Sequence, residues 1–80
     1  MKYVYLLRSL SNPSKIYTGL TDDVPRRLEE HNSGKAAFTA RHIPWKIEVS
    51  IGFEHDQRAV KFERYLKTGS GIAFARKHFW

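Results

Sequence analysis

Two kinds of hydrophobic spacing alternate along the chain. Residues 2–8 (Lys2-Tyr3-Val4-Tyr5-Leu6-Leu7-Arg8) carry aromatic and branched side chains at both odd and even positions, the pattern of a central strand covered on both faces. Ser9 to Lys15, with Asn12-Pro13, is turn material, and Ile16-Tyr17-Thr18-Gly19-Leu20 predicts a second strand that closes an antiparallel hairpin. Thr21-Asp22-Asp23 offers N-cap oxygens, Pro25 suits a first turn and Gly34 a stop, which predicts a helix over about 23–32. Residues 33–44 read as loop. Trp45, Ile47, Val49, Ile51 and Phe53 alternate with Lys46, Glu48, Ser50 and Gly52, predicting a third strand at an edge with one buried and one wet face. Asp56 is positioned to cap a helix to about Lys67. Thr68-Gly69 interrupts it, and Ser70 is positioned to cap a last helix with the stripe Ile72, Ala75 and Phe79.

The order β-β-α-β-α-α defines an α+β class, in which a three-stranded antiparallel sheet is flanked by helices in one small domain over residues 1–80. A chain of this length buries only about 60% of its unfolded surface, so the core is thin. No apolar run is long enough to cross a bilayer, and Tyr3-Val4-Tyr5-Leu6-Leu7 is too short for a secretory signal, so a mature cytoplasmic protein is expected. The absence of cysteine excludes a disulfide scaffold, a thiolate metal site and a cysteine nucleophile.

Charge narrows the function. The net charge is +6, and residues 58–80 hold Arg58, Lys61, Arg64, Lys67, Arg76 and Lys77 against the single acid Glu63. Such a surface favours polyanions, nucleic acid first, although a cationic face also serves solubility. Glu63 is the most informative residue. At 100° per residue from Ala59, Phe62 falls at about 300°, Leu66 at about 340° and Val60 at about 100°, with Glu63 at about 40°, inside the apolar arc. A carboxylate turned toward a core needs a cation, which is either a neighbouring Lys or Arg or a metal ion. Arg27 and His31, four residues apart, share one face of the first helix beside the Val24/Leu28 stripe. That face is either solvated or a phosphate site, since an Arg fork matches phosphate and His titrates near neutrality. Tyr3 and Tyr5 share a strand face, and Tyr17 lies across the hairpin; they are core aromatics or hydroxyls presented to a ligand.

Taken together, Tyr3-Val4-Tyr5, Tyr17-Thr18-Gly19, Arg27 with His31 in Arg26-Arg27-Leu28-Glu29-Glu30-His31-Asn32, and Glu63 in Phe62-Glu63-Arg64-Tyr65-Leu66-Lys67 resemble the GIY-YIG nuclease domain, in order and over essentially the whole chain. The resemblance is to small stand-alone members similar to the catalytic domain of the excision-repair incision endonuclease. It implies that Tyr5 and Tyr17 flank the scissile phosphate and that one of them helps activate the attacking water. It further implies that Arg27 neutralises phosphate charge, His31 assists proton transfer or orientation, and Glu63 binds one divalent cation, Mg²⁺ or Mn²⁺. A lone carboxylate suits a hard cation that keeps waters and phosphate oxygens, whereas zinc gathers three or four protein ligands.

The sequence departs from the family pattern at Tyr3-Val4, in place of Gly-Ile, and at Thr18, in place of Ile. It also has no Asn after Glu63, where many members place one; Lys67 or Ser70 is the available substitute. The expected activity is hydrolysis of phosphodiester bonds in nucleic acid, DNA foremost, with low sequence specificity. Arg26, Lys35, Lys67, Arg76 and Lys77 would contact the backbone. The expected assembly is a monomer or weak homodimer, with a protein partner supplying specificity. The alternatives are a nucleic-acid-binding module that keeps the fold without hydrolysis, and an interaction domain whose basic helix docks an acidic protein. Phe79-Trp80 reads as a core plug, a stacking platform or a dimer contact.

Overall fold

Central placement of the first strand follows from its two-sided apolar pattern. In a computed structural model describing residues 1–80, β1 (Lys2–Ser9) lies between β2 (Ile16–Thr21) and β3 (Trp45–Phe53), both antiparallel to it. Three helices complete the chain: α1 (Val24–Asn32), α2 (Asp56–Leu66) and α3 (Gly69–His78), with a short 3₁₀ turn at Ala40–His42 inside the segment expected to be loop. The α+β class and the order β-β-α-β-α-α stand as expected.

The period-2 alternation of β1 sends its side chains into two separate cores. Val4 and Leu6 pack with Ala59 and Leu66 of α2 and Ala75 of α3, and half-buried Phe79 and Trp80 close this layer. Tyr5 and Leu7 pack on the opposite face with Trp45 and, around them, Tyr17, Leu28 and Ile47. The Arg8 guanidinium also lies 5.2 Å from the Trp80 ring centre, so the C-terminal aromatics act as a plug.

The third strand departs from its expected one-sided form. Leu6 pairs with Val49 but Leu7 pairs with Ile47, so Glu48 is an extra residue. This bulge shifts the alternation by one: Trp45 and Ile47 face the α1 side, whereas Val49 and Phe53 face the α2 side. Glu48 is turned outward and accepts a 2.8 Å hydrogen bond from Arg8 Nε. Periodicity in the sequence runs through the bulge unbroken, which is why one wet face was expected.

Helix starts also differ in detail. Asp23 caps α1 through its carboxylate, which accepts from Arg26 N at 3.1 Å, and the helix ends two residues before Gly34. Asp56 is not a cap but the first residue of α2, after His55, which makes no side-chain capping bond. The cap of α3 is Thr68, not Ser70: its hydroxyl accepts from Gly71 N at 3.1 Å. Ile72, expected in the apolar stripe of α3, is 44% exposed.

Candidate active site

The second core is polar at its centre. His31 is fully buried on α1, and its two ring nitrogens are both engaged: Nε2 meets the Tyr5 hydroxyl at 2.8 Å and Nδ1 meets Thr39 Oγ1 at 2.6 Å. The Thr39 hydroxyl donates to the Ala36 carbonyl at 3.3 Å and so accepts from His31 Nδ1–H. That leaves Nε2 as the acceptor of the Tyr5 proton. Thr39 is itself held in place because its carbonyl accepts from the Trp45 indole at 2.8 Å. The Asn32 side chain brackets the Trp45 backbone, accepting from its N–H at 2.6 Å and donating to its carbonyl at 3.1 Å.

Tyr17 completes an aromatic triangle, its ring centre 5.0 Å from His31 and 6.2 Å from Tyr5. Gly19, paired with Tyr5 in the β1–β2 register, lets the Tyr5 ring cross the strand: a Cβ there would lie 2.5 Å from Tyr5 Cζ. Arg27, one turn before His31, is half-buried and its Nη1 donates to Glu30 at 2.9 Å.

Burial pushes the Tyr5 phenol up to about 12, and the adjacent Arg27 guanidinium works against that rise. Burial first, and then Arg27, hold the His31 imidazole below the ordinary histidine range. At neutral pH the pair therefore rests as a neutral phenol donating to a neutral imidazole.

Glu63 approaches from the other face of the sheet. Its side chain is only 15% exposed, in agreement with its place in the apolar arc, and its partner is Lys67 Nζ at 2.5 Å. It makes no hydrogen bond or ion pair to Tyr5, Tyr17, Arg27 or His31; the link to them is Lys67, which lines a cleft of about 480 Å³ together with Tyr17. No group of three or more His, Asp or Glu side chains converges anywhere in the chain, which disfavours a zinc-type site. A half-exposed ammonium on a nearly buried carboxylate marks a position where positive charge is stable, and one carboxylate fits a hard cation that keeps most of its own waters.

Of the basic residues expected at the backbone, Arg26 is exposed and paired with Asp22 at 3.1 Å. Lys35 is also exposed and shares a small cleft with Arg26, Glu29 and Glu30. Arg76 and Lys77 are exposed in the last turn of α3. The reading of the sequence missed Thr39 and Asn32. The only signal for Thr39 is a hydroxyl in an otherwise apolar and basic stretch, and Asn32 has none beyond its place directly after His31.

Residues 1–72 match the GIY-YIG catalytic domain. The chain belongs to the GIY-YIG nuclease family. It is 39% identical over 66 residues to a UPF0213 protein of Streptococcus agalactiae, a match that covers 81% of this chain and 73% of that one. It is 45% identical over 65 residues to the structure-specific endonuclease subunit slx1 of Talaromyces marneffei, covering 74% of this chain but only 17% of that protein. The solution structure of a UPF0213 protein from Bacillus halodurans superposes with a TM-score of 0.56 at 30% identity, covering 96% of this chain and 84% of that one. No helix is long and apolar enough to cross a membrane.

Proposed function

We propose that this chain is an endonuclease that hydrolyses phosphodiester bonds in nucleic acid, DNA foremost, with Mg²⁺ or Mn²⁺ held at Glu63. The observation that carries this reading is the buried Tyr5–His31–Thr39 hydrogen-bond chain beside Tyr17 and Arg27. The buried phenol has an imidazole within hydrogen-bond reach to take its proton, and Arg27 and Tyr17 stand beside it.

The scissile phosphate would lie against the half-buried Tyr17 and Arg27, which would neutralise a non-bridging oxygen, with the Tyr5 hydroxyl buried behind them and joined to His31. Because Tyr5 rests protonated, with Arg27 beside it, the proton of the attacking water would pass by way of the two phenols to His31 Nε2 as the water oxygen bonds to phosphorus and the bond to the leaving oxygen breaks. Glu63 would hold the divalent cation, which when bound would supply charge stabilisation for the phosphate and the leaving oxygen. Lys67, displaced from Glu63 by such a cation, would be free to pair with phosphate. Contacts of this kind read backbone and shape more than bases, so low intrinsic sequence specificity follows. The slx1 relative is named as a subunit of a structure-specific endonuclease, which supports a branched or discontinuous substrate and a protein partner here.

The Glu63–Lys67 pair favours one second reading, a binding module in which the ammonium permanently fills the cation position. Labelled duplex, nicked, flap, branched and single-stranded substrates separate the two. Cleavage of at least one with Mg²⁺ or Mn²⁺, lost on adding chelator, is expected; no cleavage of any would leave the binding module.

Proton acceptance by His31 also fixes the pH response. The imidazole must be neutral, and its pKa is depressed, so the acid limb of the rate profile is expected below about pH 6.5, the ordinary histidine value. Stability follows the same sign. The contribution from His31 is complete above its unfolded-state value and is lost as pH falls from there through the depressed folded-state value. Urea midpoints at a series of pH values should decline below about 6.5 in the parent and less in His31→Asn. An acid limb above that value would remove His31 from the role.

A further inference from the structure

Beside the catalytic triangle lies a feature that hydrolysis alone leaves unused. Phe38 is 90% exposed, although the next residue, Thr39, is fully buried and bonded to His31. It forms one wall of the cleft of about 480 Å³ whose other linings include Ile16, Tyr17, Leu66, Lys67 and Ile72. Ile16 and Ile72 are themselves 47% and 44% exposed, so the cleft is an apolar slot open to water. At one side stands a catalytic phenol and a lysine ammonium. An aromatic wall, apolar flanks and one cation beside a phosphate site together match one nucleotide: a flat base joined to an anion.

We infer that this cleft seats an unpaired nucleobase adjacent to the scissile phosphate, stacked on Phe38, an inference that rests on the phosphate position proposed above. A base inside a duplex has both faces covered by its neighbours, so only an unstacked one can lie on Phe38. The preferred substrates are then strands in which the nucleotide next to the cut bond is unpaired. The sharing of Tyr17 between cleft and triangle ties the two together, and Lys67, paired with Glu63, sets a half-exposed ammonium at the cleft wall beside the flanking phosphate.

The test measures binding without cleavage. In chelator, fluorescence anisotropy of a labelled single-stranded deoxyoligonucleotide and of its blunt duplex is compared for the parent, Phe38→Ala and Phe38→Trp. Phe38→Ala is expected to weaken single-strand binding about 10-fold, within the range one base–aromatic stack provides. Phe38→Trp is expected to retain it, and duplex affinity should change less than about twofold. An unchanged single-strand affinity in Phe38→Ala overturns the inference, and so does an equal loss on duplex. Concentration-dependent self-association of the parent that disappears in Phe38→Ala overturns it as well, since a second copy would then cover the cleft. A parent that cuts no substrate but binds single strands through Phe38 refutes the hydrolase reading and upholds the cleft. A parent that cuts while Phe38→Ala binds single strands equally well does the reverse.

Discussion

Arg27→Ala and Glu63→Gln are each expected to slow single-turnover cleavage by about 10²- to 10³-fold, the loss typical when one group stabilising transition-state charge is removed. Their fold should survive. Arg27 leaves behind Glu30, which is about one-third exposed, and Glu63 leaves behind Lys67, which is 57% exposed, so neither strands a buried charge. Partly exposed pairs of this kind contribute about 0–1 kcal/mol. Anisotropy at fixed salt should show both variants binding nucleic acid close to the parent, which separates lost chemistry from lost affinity. The two variants also probe different halves of the site, because Arg27 stands on the α1 face with Tyr5 while Glu63 comes from the α2 face. Parent-like cleavage by Glu63→Gln would return that residue to a plain ion pair with Lys67. Parent-like cleavage by Arg27→Ala would dissolve the phosphate site.

The largest effect on stability is expected from Gly71→Ala. Helix propensity alone favours Ala over Gly by about 1 kcal/mol. At Gly71, however, a Cβ would lie 1.8 Å from the Tyr65 carbonyl oxygen and 2.7 Å from Leu66 Cα, both main-chain atoms that no rotamer change can clear. The junction between α2 and α3 would have to open, uncoupling Leu66 and Ala75 from Val4 and Leu6. A cost of about 3 kcal/mol or more is expected, a large share of the stability of so short a chain. Gly69→Ala is the control: it lies two residues earlier, its Cβ meets nothing within 4 Å, and it should be neutral or slightly stabilising. Thermal or urea unfolding of the two variants decides the matter, and equal midpoints would show that the junction yields at little cost.

How far the sequence spoke for itself can be judged from particular residues. The two-sided coverage of β1 was legible because its apolar residues occupy both phases of the alternation, and α1 was legible because Asp23, Pro25 and Gly34 punctuate it. The near-burial of Glu63 followed from helical angle alone, but its partner did not. Lys67 one turn on and a cation from solvent satisfy the same carboxylate. Thr68 and Ser70 both offer a capping hydroxyl, and only the backbone path decides between them. Thr39 was hidden for a different reason. Its importance lies in a contact with His31, eight residues back, across a loop whose course no local pattern dictates.

The extra residue at Glu48 has a further consequence. β3 changes allegiance half-way along, so what this stretch must keep is its count of residues more than their chemistry. Exchanging Glu48 for another outward side chain would forfeit only partly exposed pairs with Arg8 and Lys46. Deleting it would act as a frameshift in space: Trp45 and Ile47 would be delivered to the wrong side of the sheet, and the indole that steadies Thr39, and through it His31, would leave with them.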